Sequence, residues 1–147
     1  MLSQTAEYAL RAAVLMAESP AGTVASVGGL AEALELPQNY LSKTLNALVR
    51  TGVLVSTRGK RGGFGLARPA AEISLLEIVD PFDRLGDRPA CLMGKGECSE
   101  ADACAAHHAW KSVSAQVHAF FQQTTLSDLV EQERTKAKRK SSKVTRR

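Results

Sequence analysis

Outside one short stretch the chain has no cysteine, between Glu35 and Glu72 it has no acidic residue, and it contains no apolar run long enough to cross a bilayer. The last absence excludes a membrane-spanning helix. At the N-terminus Glu7 and Arg11 interrupt the apolar positions, and there is no charged start or small-residue cleavage site of the kind a signal peptide needs. A cytoplasmic protein without a membrane partner is therefore expected. Three cysteines, an odd number, in a chain without export signals argue against a disulfide framework and for reduced thiols. No internal repeat is present. At 147 residues the chain is long enough for one domain with a proper core and an appended helix.

Charge is unevenly distributed. Residues 134–147 hold 8 of the 19 basic side chains and no acidic one, which leaves the first 133 residues with 11 basic against 15 acidic. Within that net-acidic body the acid-free stretch carries Lys43, Arg50, Arg58, Lys60, Arg61 and Arg68. Local positive charge on an acidic body is the footprint of a phosphate-binding face. The tail, with Lys-Ala-Lys-Arg-Lys-Ser-Ser at its centre, reads as a basic disordered segment, either one that adds nonspecific DNA affinity or a solvated tail without a specific job.

Periodicity supplies the elements. Ala6, Leu10, Ala13, Val14 and Ala17 repeat at helical spacing and predict a helix over residues 3–18, ended by Pro20 and Gly22. Val27, Leu30, Ala31 and Leu34 predict a second helix with Ser26 as N-cap. Pro37 suits the first turn of a third, whose buried stripe is Leu41, Leu45, Leu48 and Val49, and Gly52 suits its end. Two extended runs, 53–57 and 64–68, flank Gly59-Lys60-Arg61-Gly62-Gly63 and read as a hairpin. A short helix over 74–79 is expected to stop at Pro81. Trp110, Val113, Val117, Phe120 and Phe121 mark a long amphipathic helix from about 107 to 122. Thr125-x-x-Asp128 opens a last short one carrying Leu126, Leu129 and Val130. The predicted fold is mostly α with a small β-hairpin wing: a winged helix-turn-helix plus a long dimerisation helix. Its divisions are a DNA-binding domain (1–82), a cysteine-rich loop (83–106), a dimerisation helix with a short helix after it (107–133) and the basic tail (134–147).

Opposite its leucine stripe the third helix presents Gln38, Asn39, Tyr40, Ser42, Lys43 and Asn46. Amide and hydroxyl side chains near a helix N-terminus are the types that hydrogen-bond base edges in a major groove. A polar helix face is often only solvated. The turn with Arg58, Lys60 and Arg61 immediately afterwards shifts the reading towards double-stranded DNA, since an arginine there can enter a minor groove. The aromatic and valine stripe Trp110, Val113, Val117, Phe120 and Phe121 exceeds what the winged module needs for its own core. It is expected to pair two copies, and a two-fold homodimer would read a pseudo-palindromic operator.

The cysteines form Cys91-x6-Cys98-x5-Cys104-x2-His107. Thiolates and imidazole are ligands of iron–sulfur clusters and of zinc. Three cysteines in a glycine- and aspartate-rich loop are hard to account for as small buried hydrophobes. Zinc would be satisfied by three thiolates and one histidine. Structural zinc, however, usually shows tighter Cys-x2-4-Cys pairs, so the wide spacing favours a cluster held by a wrapping loop. Cys104 and His107 can share one side of a helix that begins there, whereas His108 points elsewhere and His118 lies further along. The same pair could imitate a thiol nucleophile and its base, but no oxyanion donors accompany it, and an enzyme is not expected.

The chain resembles the bacterial Rrf2 family of winged-helix transcriptional regulators, of the IscR and NsrR type, over about residues 1–133. The likeness runs through Leu2-Ser3-Gln4-Thr5-Ala6-Glu7-Tyr8-Ala9-Leu10-Arg11, Asn39-Tyr40-Leu41-Ser42-Lys43, Gly52-Val53-Leu54-Val55-Ser56-Thr57-Arg58-Gly59 and Gly62-Gly63-Phe64. It returns at Cys104-x2-His107-x2-Trp110 and Thr125-Leu126-Ser127-Asp128-Leu129. The resemblance implies a homodimer with long helices crossing between two DNA-binding domains, and an iron–sulfur cluster, 2Fe–2S ahead of 4Fe–4S, on Cys91, Cys98 and Cys104. IscR-type members take their fourth ligand from a histidine after the last cysteine, here His107. NsrR-type members take it from an acidic residue of the partner's first helix, the place of Glu7. Trp110 follows the IscR pattern and favours His107. The first cysteine spacing is one residue longer than that pattern, and the basic tail has no counterpart in it.

Overall fold

The computed structural model describes residues 2–85, 91–94, 96, 98–132 and 134–135. Parts of the cysteine loop (86–90, 95 and 97) and the tail beyond residue 135 lie outside the described residues. Helices α1 (Gln4–Ala17), α2 (Val27–Leu34) and α3 (Gln38–Arg50) come first. Strands β1 (Leu54–Thr57) and β2 (Gly63–Leu66), a 3₁₀ turn (Ala70–Glu72), α4 (Leu75–Asp83) and α5 (His107–Gln123) follow. Residues 126–132 are helical again.

Each boundary has a local cause. Ser3 caps α1 by accepting from the Ala6 N–H at 3.2 Å, and Ser26 caps α2 by accepting from the Gly29 N–H at 3.1 Å. Pro37 is the N-cap of α3, where its missing N–H leaves no helical bond unmade. Gly52 follows α3 with φ +77°, a left-handed conformation that glycine adopts without strain. Between α2 and α3 the turn is only Glu35-Leu36-Pro37. The Arg11 side chain reaches from α1 to donate to the Leu34 carbonyl at 3.0 Å, placing a cation on the C-terminal end of α2.

One interior serves the described helices and strands. Ala6, Ala9, Ala12 and Ala13 of α1 let that helix lie close against α4, and Leu41, Leu45 and Leu48 of α3 pack on the same interior, all fully buried. Leu126 and Phe121, far along the sequence, belong to this core as well. They are brought there by an antiparallel bridge in which the Leu75 N–H donates to the Thr124 carbonyl and the Leu126 N–H to the Ile73 carbonyl, both at 2.9 Å. The Thr125 N–H donates to the Asp128 carboxylate at 2.8 Å and the Asp128 N–H to the Thr125 hydroxyl at 3.3 Å, the reciprocal cap expected from that motif.

Two expectations need correction. Pro81 does not stop α4, which runs through it to Asp83 and ends where Arg84 turns left-handed at φ +47°. A proline so near the helix end forfeits one backbone bond in a helix already capped at Ser74 and packed on α1. Arg68 also leaves the basic surface. Its guanidinium pairs with the Glu77 carboxylate and donates to the Glu72 carbonyl at 2.9 Å.

Glu77 closes the Ser74 capping box, accepting from the Ser74 N–H at 2.9 Å. Burial pushes its carboxyl up, but the Ser74 N–H, the Arg68 guanidinium and the Ser74 hydroxyl together outweigh burial and hold it below the usual range. A carboxyl depressed in the fold takes up a proton less readily than in the unfolded chain. Its stabilisation is therefore complete above the ordinary glutamate value of about 4.3 and is lost as the pH falls through the lower folded value. Glu77→Gln is expected to be less stable than the wild type at neutral pH, with the difference closing in acid. Urea midpoints at a series of pH values check this, and a difference that stays constant into strong acid would contradict it.

Candidate DNA-binding face and cysteine site

The helix-turn-helix is made by α2 and α3, and α3 turns its leucines inward so that its polar residues face solvent. Gln38, Asn39, Lys43 and Asn46 are exposed and Ser42 is half-buried. Asn46 donates through Nδ2 to the Ser42 carbonyl at 2.8 Å, which fixes the amide one turn along from Lys43. Tyr40 has an additional job. Its hydroxyl hydrogen-bonds the Thr5 hydroxyl, and its ring meets Tyr8 edge-on with centroids 5.7 Å apart, so the start of α3 is braced against α1. Sequence reading placed Tyr40 on the DNA face and missed the brace; Thr5 and Tyr8, three apart on α1, are the signal that could have shown it.

The wing is more than a hairpin. β1 and β2 pair antiparallel from Leu54 against Leu66 to Thr57 against Gly63. Ala25 then adds to the outer side of β2: the Ala25 N–H donates to the Phe64 carbonyl at 2.9 Å and the Phe64 N–H to the Ala25 carbonyl at 2.8 Å. This bridge ties the wing to the residue just before the cap of α2. A Cβ on Gly63 would lie 2.2 Å from the Ala25 carbonyl oxygen, so only glycine admits the approach. At the tip Arg58, Lys60 and Arg61 are exposed, and among the described residues no carboxylate pairs with them or with Lys43. Four cations on two adjacent elements, none paired with a carboxylate among the described residues, form a surface suited to phosphate.

A shallow open cleft of about 330 Å³ lies between the end of α1 and the base of the wing, lined by Met16, Pro20, Thr23, Leu66, Arg68 and Pro69. None of the candidate site residues lines it, and its one cation is already engaged by Glu77.

In the cysteine region the structure brings one pair of candidates together. The Cys98 sulfur lies 3.2 Å from Nδ1 of His107. His107 opens α5, is only 2% exposed, and its Nε2 is buried without a partner. Cys91 sits in a turn of its own, with its N–H on the Gly96 carbonyl at 2.6 Å and its carbonyl accepting from Gly94 at 2.9 Å. Cys104 accepts through its carbonyl from the His107 N–H at 2.9 Å. All three thiols are free and half-buried. Among the described residues no three of His, Cys, Asp and Glu converge closely enough to hold a metal ion. The donor chemistry fits one nonetheless: three thiols and an imidazole with an orphaned buried nitrogen are what soft and borderline metals take. Glu7 is exposed on the first turn of α1. His108 is exposed and stacks edge-on against His107 at 5.2 Å.

Along α5 the apolar stripe divides. Phe121 is 5% exposed and serves the chain's own core, whereas Val113 and Phe120 are 51% and 54% exposed. Trp110 and Val117 are half-buried. Near the helix start Lys111 pairs with Glu100 of the cysteine loop, which through that hydrogen bond lowers the Glu100 carboxyl and raises the lysine. Both groups are exposed, so the pair orients the loop more than it stabilises the fold.

A sequence model of the Rrf2 family, described as "Iron-dependent Transcriptional regulator", matches residues 2–132. The chain is 34% identical over 132 residues to a protein of Aquifex aeolicus assigned as an HTH-type transcriptional regulator, a match covering 88% of this chain and 91% of that one. It is 31% identical over 130 residues to the HTH-type transcriptional regulator IscR of Escherichia coli, covering 88% and 79%. Among solved structures it is similar to CymR, the global cysteine regulator of B. subtilis, with a TM-score of 0.76 at 22% identity over 89% of this chain and 96% of that one, a likeness of fold.

Proposed function

The chain belongs to the Rrf2 family of DNA-binding transcriptional regulators, which are not enzymes, and from that premise we propose that it acts as a homodimer that senses an iron–sulfur cluster on Cys91, Cys98, Cys104 and His107. The observation that carries the proposal is His107. A buried imidazole nitrogen without a partner costs about 1–3 kcal/mol, and this one sits in the residue whose other ring nitrogen touches Cys98. A metal held by Cys98 would meet His107 at Nδ1, the nitrogen facing that sulfur, and no hydrogen bond at Nε2 would have to break for the ring to adjust to it. That geometry favours His107 over a Glu7 from a second copy as fourth ligand.

The bound cluster would supply sensitivity to oxidants, nitric oxide or iron supply, with two irons favoured over four. The protein's own residues carry the response. The cysteine loop ends at His107, the first residue of α5, so a rearrangement at the thiols is delivered to the start of that helix. The far end of α5 is fixed to the winged module through Thr124 and Leu75. Pairing of two copies through Trp110, Val113, Val117 and Phe120 would make the angle of α5 set the separation of the two recognition helices. Gln38, Asn39, Ser42, Lys43 and Asn46 then read bases of a pseudo-palindromic operator, while Arg58, Lys60 and Arg61 hold the flanking phosphates and minor groove.

Anaerobic purification with iron and sulfide assayed per chain tests this. The expected product is coloured, with about two of each per chain, and removing the iron with a chelator changes operator affinity. A colourless protein carrying zinc would make the cysteine loop a structural staple, and a metal-free protein that takes up no cluster on anaerobic reconstitution would overturn the sensor.

A further inference from the structure

The cap of α1 is completed from another helix. In a capping box the third residue of the helix returns a polar side chain to the N–H of the cap, as Glu77 does for Ser74 and Asp128 for Thr125. In α1 that third position is Ala6, fully buried and with nothing to return. The Ser3 N–H donates instead to the Asp83 carboxylate at 2.8 Å, from a residue 80 positions along the chain. We propose that Asp83 is a positioning residue for DNA reading. By holding the tip of α1 it sets, through that helix, the placement of the recognition helix α3.

One face of α1 carries the constraint to the helix-turn-helix. Thr5, Tyr8 and Arg11 follow at three-residue spacing and lie along one side of the helix. Thr5 hydrogen-bonds the Tyr40 hydroxyl and Tyr8 meets the Tyr40 ring, both in the first turn of α3. Arg11 donates to the carbonyl of Leu34, the last residue of α2. A single helix thus grips both reading helices, one on each side of their connecting turn. With 14 residues α1 is a rod of about four turns, so a change in its angle moves Tyr40 relative to Leu34 or breaks one of these contacts.

Both ends of the clamp are fixed. The Ser3 hydroxyl accepts from the Ala6 N–H and the Ser3 carbonyl from the Glu7 N–H, so all three of its polar groups are committed. The Asp83 carboxylate also stands at the positive end of the α1 dipole. Asp83 is itself the last residue of α4, and Arg84 after it takes a left-handed backbone, φ +47°, that residues with a Cβ rarely adopt. Phe82 and Leu85, on either side, pack against the core. The point where the chain leaves α4 for the cysteines is therefore held, and the clamp joins it to the recognition helix within one chain. The inference does not depend on whether a cluster is bound.

The test compares Asp83→Ala with Asp83→Asn, which keeps an acceptor for the Ser3 N–H, and Thr5→Val with Thr5→Ser, which keeps the hydroxyl. Two probes are used: the tightest duplex that the wild-type protein selects from a random pool, and a shuffled duplex of the same length. Asp83→Ala and Thr5→Val are each expected to lose about threefold to thirtyfold in affinity for the selected duplex. On the shuffled duplex both are expected to keep the wild-type affinity and salt dependence, because Lys43 and the wing cations are untouched. The Asn and Ser variants are expected to restore binding of the selected duplex. Asp83→Ala combined with Thr5→Val is expected to lose no more than the worse single variant, since both cut the same chain of contacts.

Hydrogen exchange in the DNA-free protein gives a second readout. The Ser3–Asp83 bond lies at the surface, so Asp83→Ala is expected to fold and to quicken exchange only over residues 4–8 and 38–44. The backbone bridge at residues 73–75 and 124–126 is expected to keep its wild-type protection. Equal losses on the two duplexes, or faster exchange throughout, would reveal a merely less stable fold and overturn the proposal. Losses that multiply in the double variant would overturn it too, as would wild-type selectivity in Asp83→Ala.

Discussion

Cys98→Ala is expected to leave the anaerobically purified protein colourless and essentially free of iron while the dimer, followed by size-exclusion chromatography, persists. Cys98 is the thiol already placed against His107, with its sulfur 3.2 Å from Nδ1. Its loss leaves both imidazole nitrogens of a 2% exposed residue without partners among the described residues, and so removes the ligand and the orientation of its neighbour together. Operator affinity is then expected to become indifferent to chelator treatment. Cys91 is held by the backbone of its own turn, and among the described residues no hydrogen bond joins its thiol to another candidate ligand, so its removal is expected to give the weaker phenotype in the same assays. A Cys98→Ala protein that keeps its colour and its iron would sink the ligand assignment. The dimer is expected to survive because Val113 and Phe120, the exposed apolar residues of α5, lie beyond the loop.

Gly63→Val is expected to cost about 2–4 kcal/mol of stability, a large part of what a small domain has. Besides meeting the Ala25 carbonyl oxygen at 2.2 Å, the new Cβ would stand 2.6 Å from the Ala25 carbonyl carbon. These are backbone atoms, which no rotamer change moves aside. The strand must separate, and both Ala25–Phe64 hydrogen bonds go with it. Phe64, 8% exposed, loses the cover that the bridge provides. Because Ala25 directly precedes the cap of α2, the wing also loses its fixed position beside the helix-turn-helix. DNA affinity is then expected to drop with stability, while spectrum and iron content stay unchanged. Urea unfolding and operator binding check both effects. A wild-type unfolding midpoint would show that the close approach is not required.

The elements that depend on short-range pattern were legible in the sequence. The leucine stripe of α3, the serine caps at positions 3 and 26, the glycine after α3 and the Thr125–Asp128 box each rest on residues within one or two helical turns of one another. The features that escaped depend on pairs distant in the chain. Ala25 bonds Phe64 through backbone atoms alone, so no side-chain pattern announces it. Arg68 was counted with its basic neighbours because nothing local says that Glu77 will stand beside it. Phe121 and Phe120 are adjacent and alike in type; which of them enters the core is decided by how the bridge at Thr124 fixes the helix end. Pro81 misled for the opposite reason, since a local rule gave way to a helix held by its cap and by α1. In the cysteine site the sequence offered all four donors, and the spacing shows neither that His107 is buried nor that Cys98 is the thiol it meets.

The bridge between residues 73–75 and 124–126 also fixes the order in which the molecule can be made. Leu126 and Phe121 complete the interior on which α1 and α4 rest, so a nascent chain that has emerged only through the wing carries its DNA-reading surface on an unfinished core. Closing the ring from Ser74 to Thr125 adds little entropy for each extra residue of loop. It still requires nearly the whole family body to have left the ribosome, because one partner of this contact, Thr125, lies near the end of that body. The three cysteines all lie inside that ring. They emerge before it shuts, as accessible thiols on a partly folded chain. Synthesis itself thus gives the thiols their widest exposure before the reader of DNA is whole.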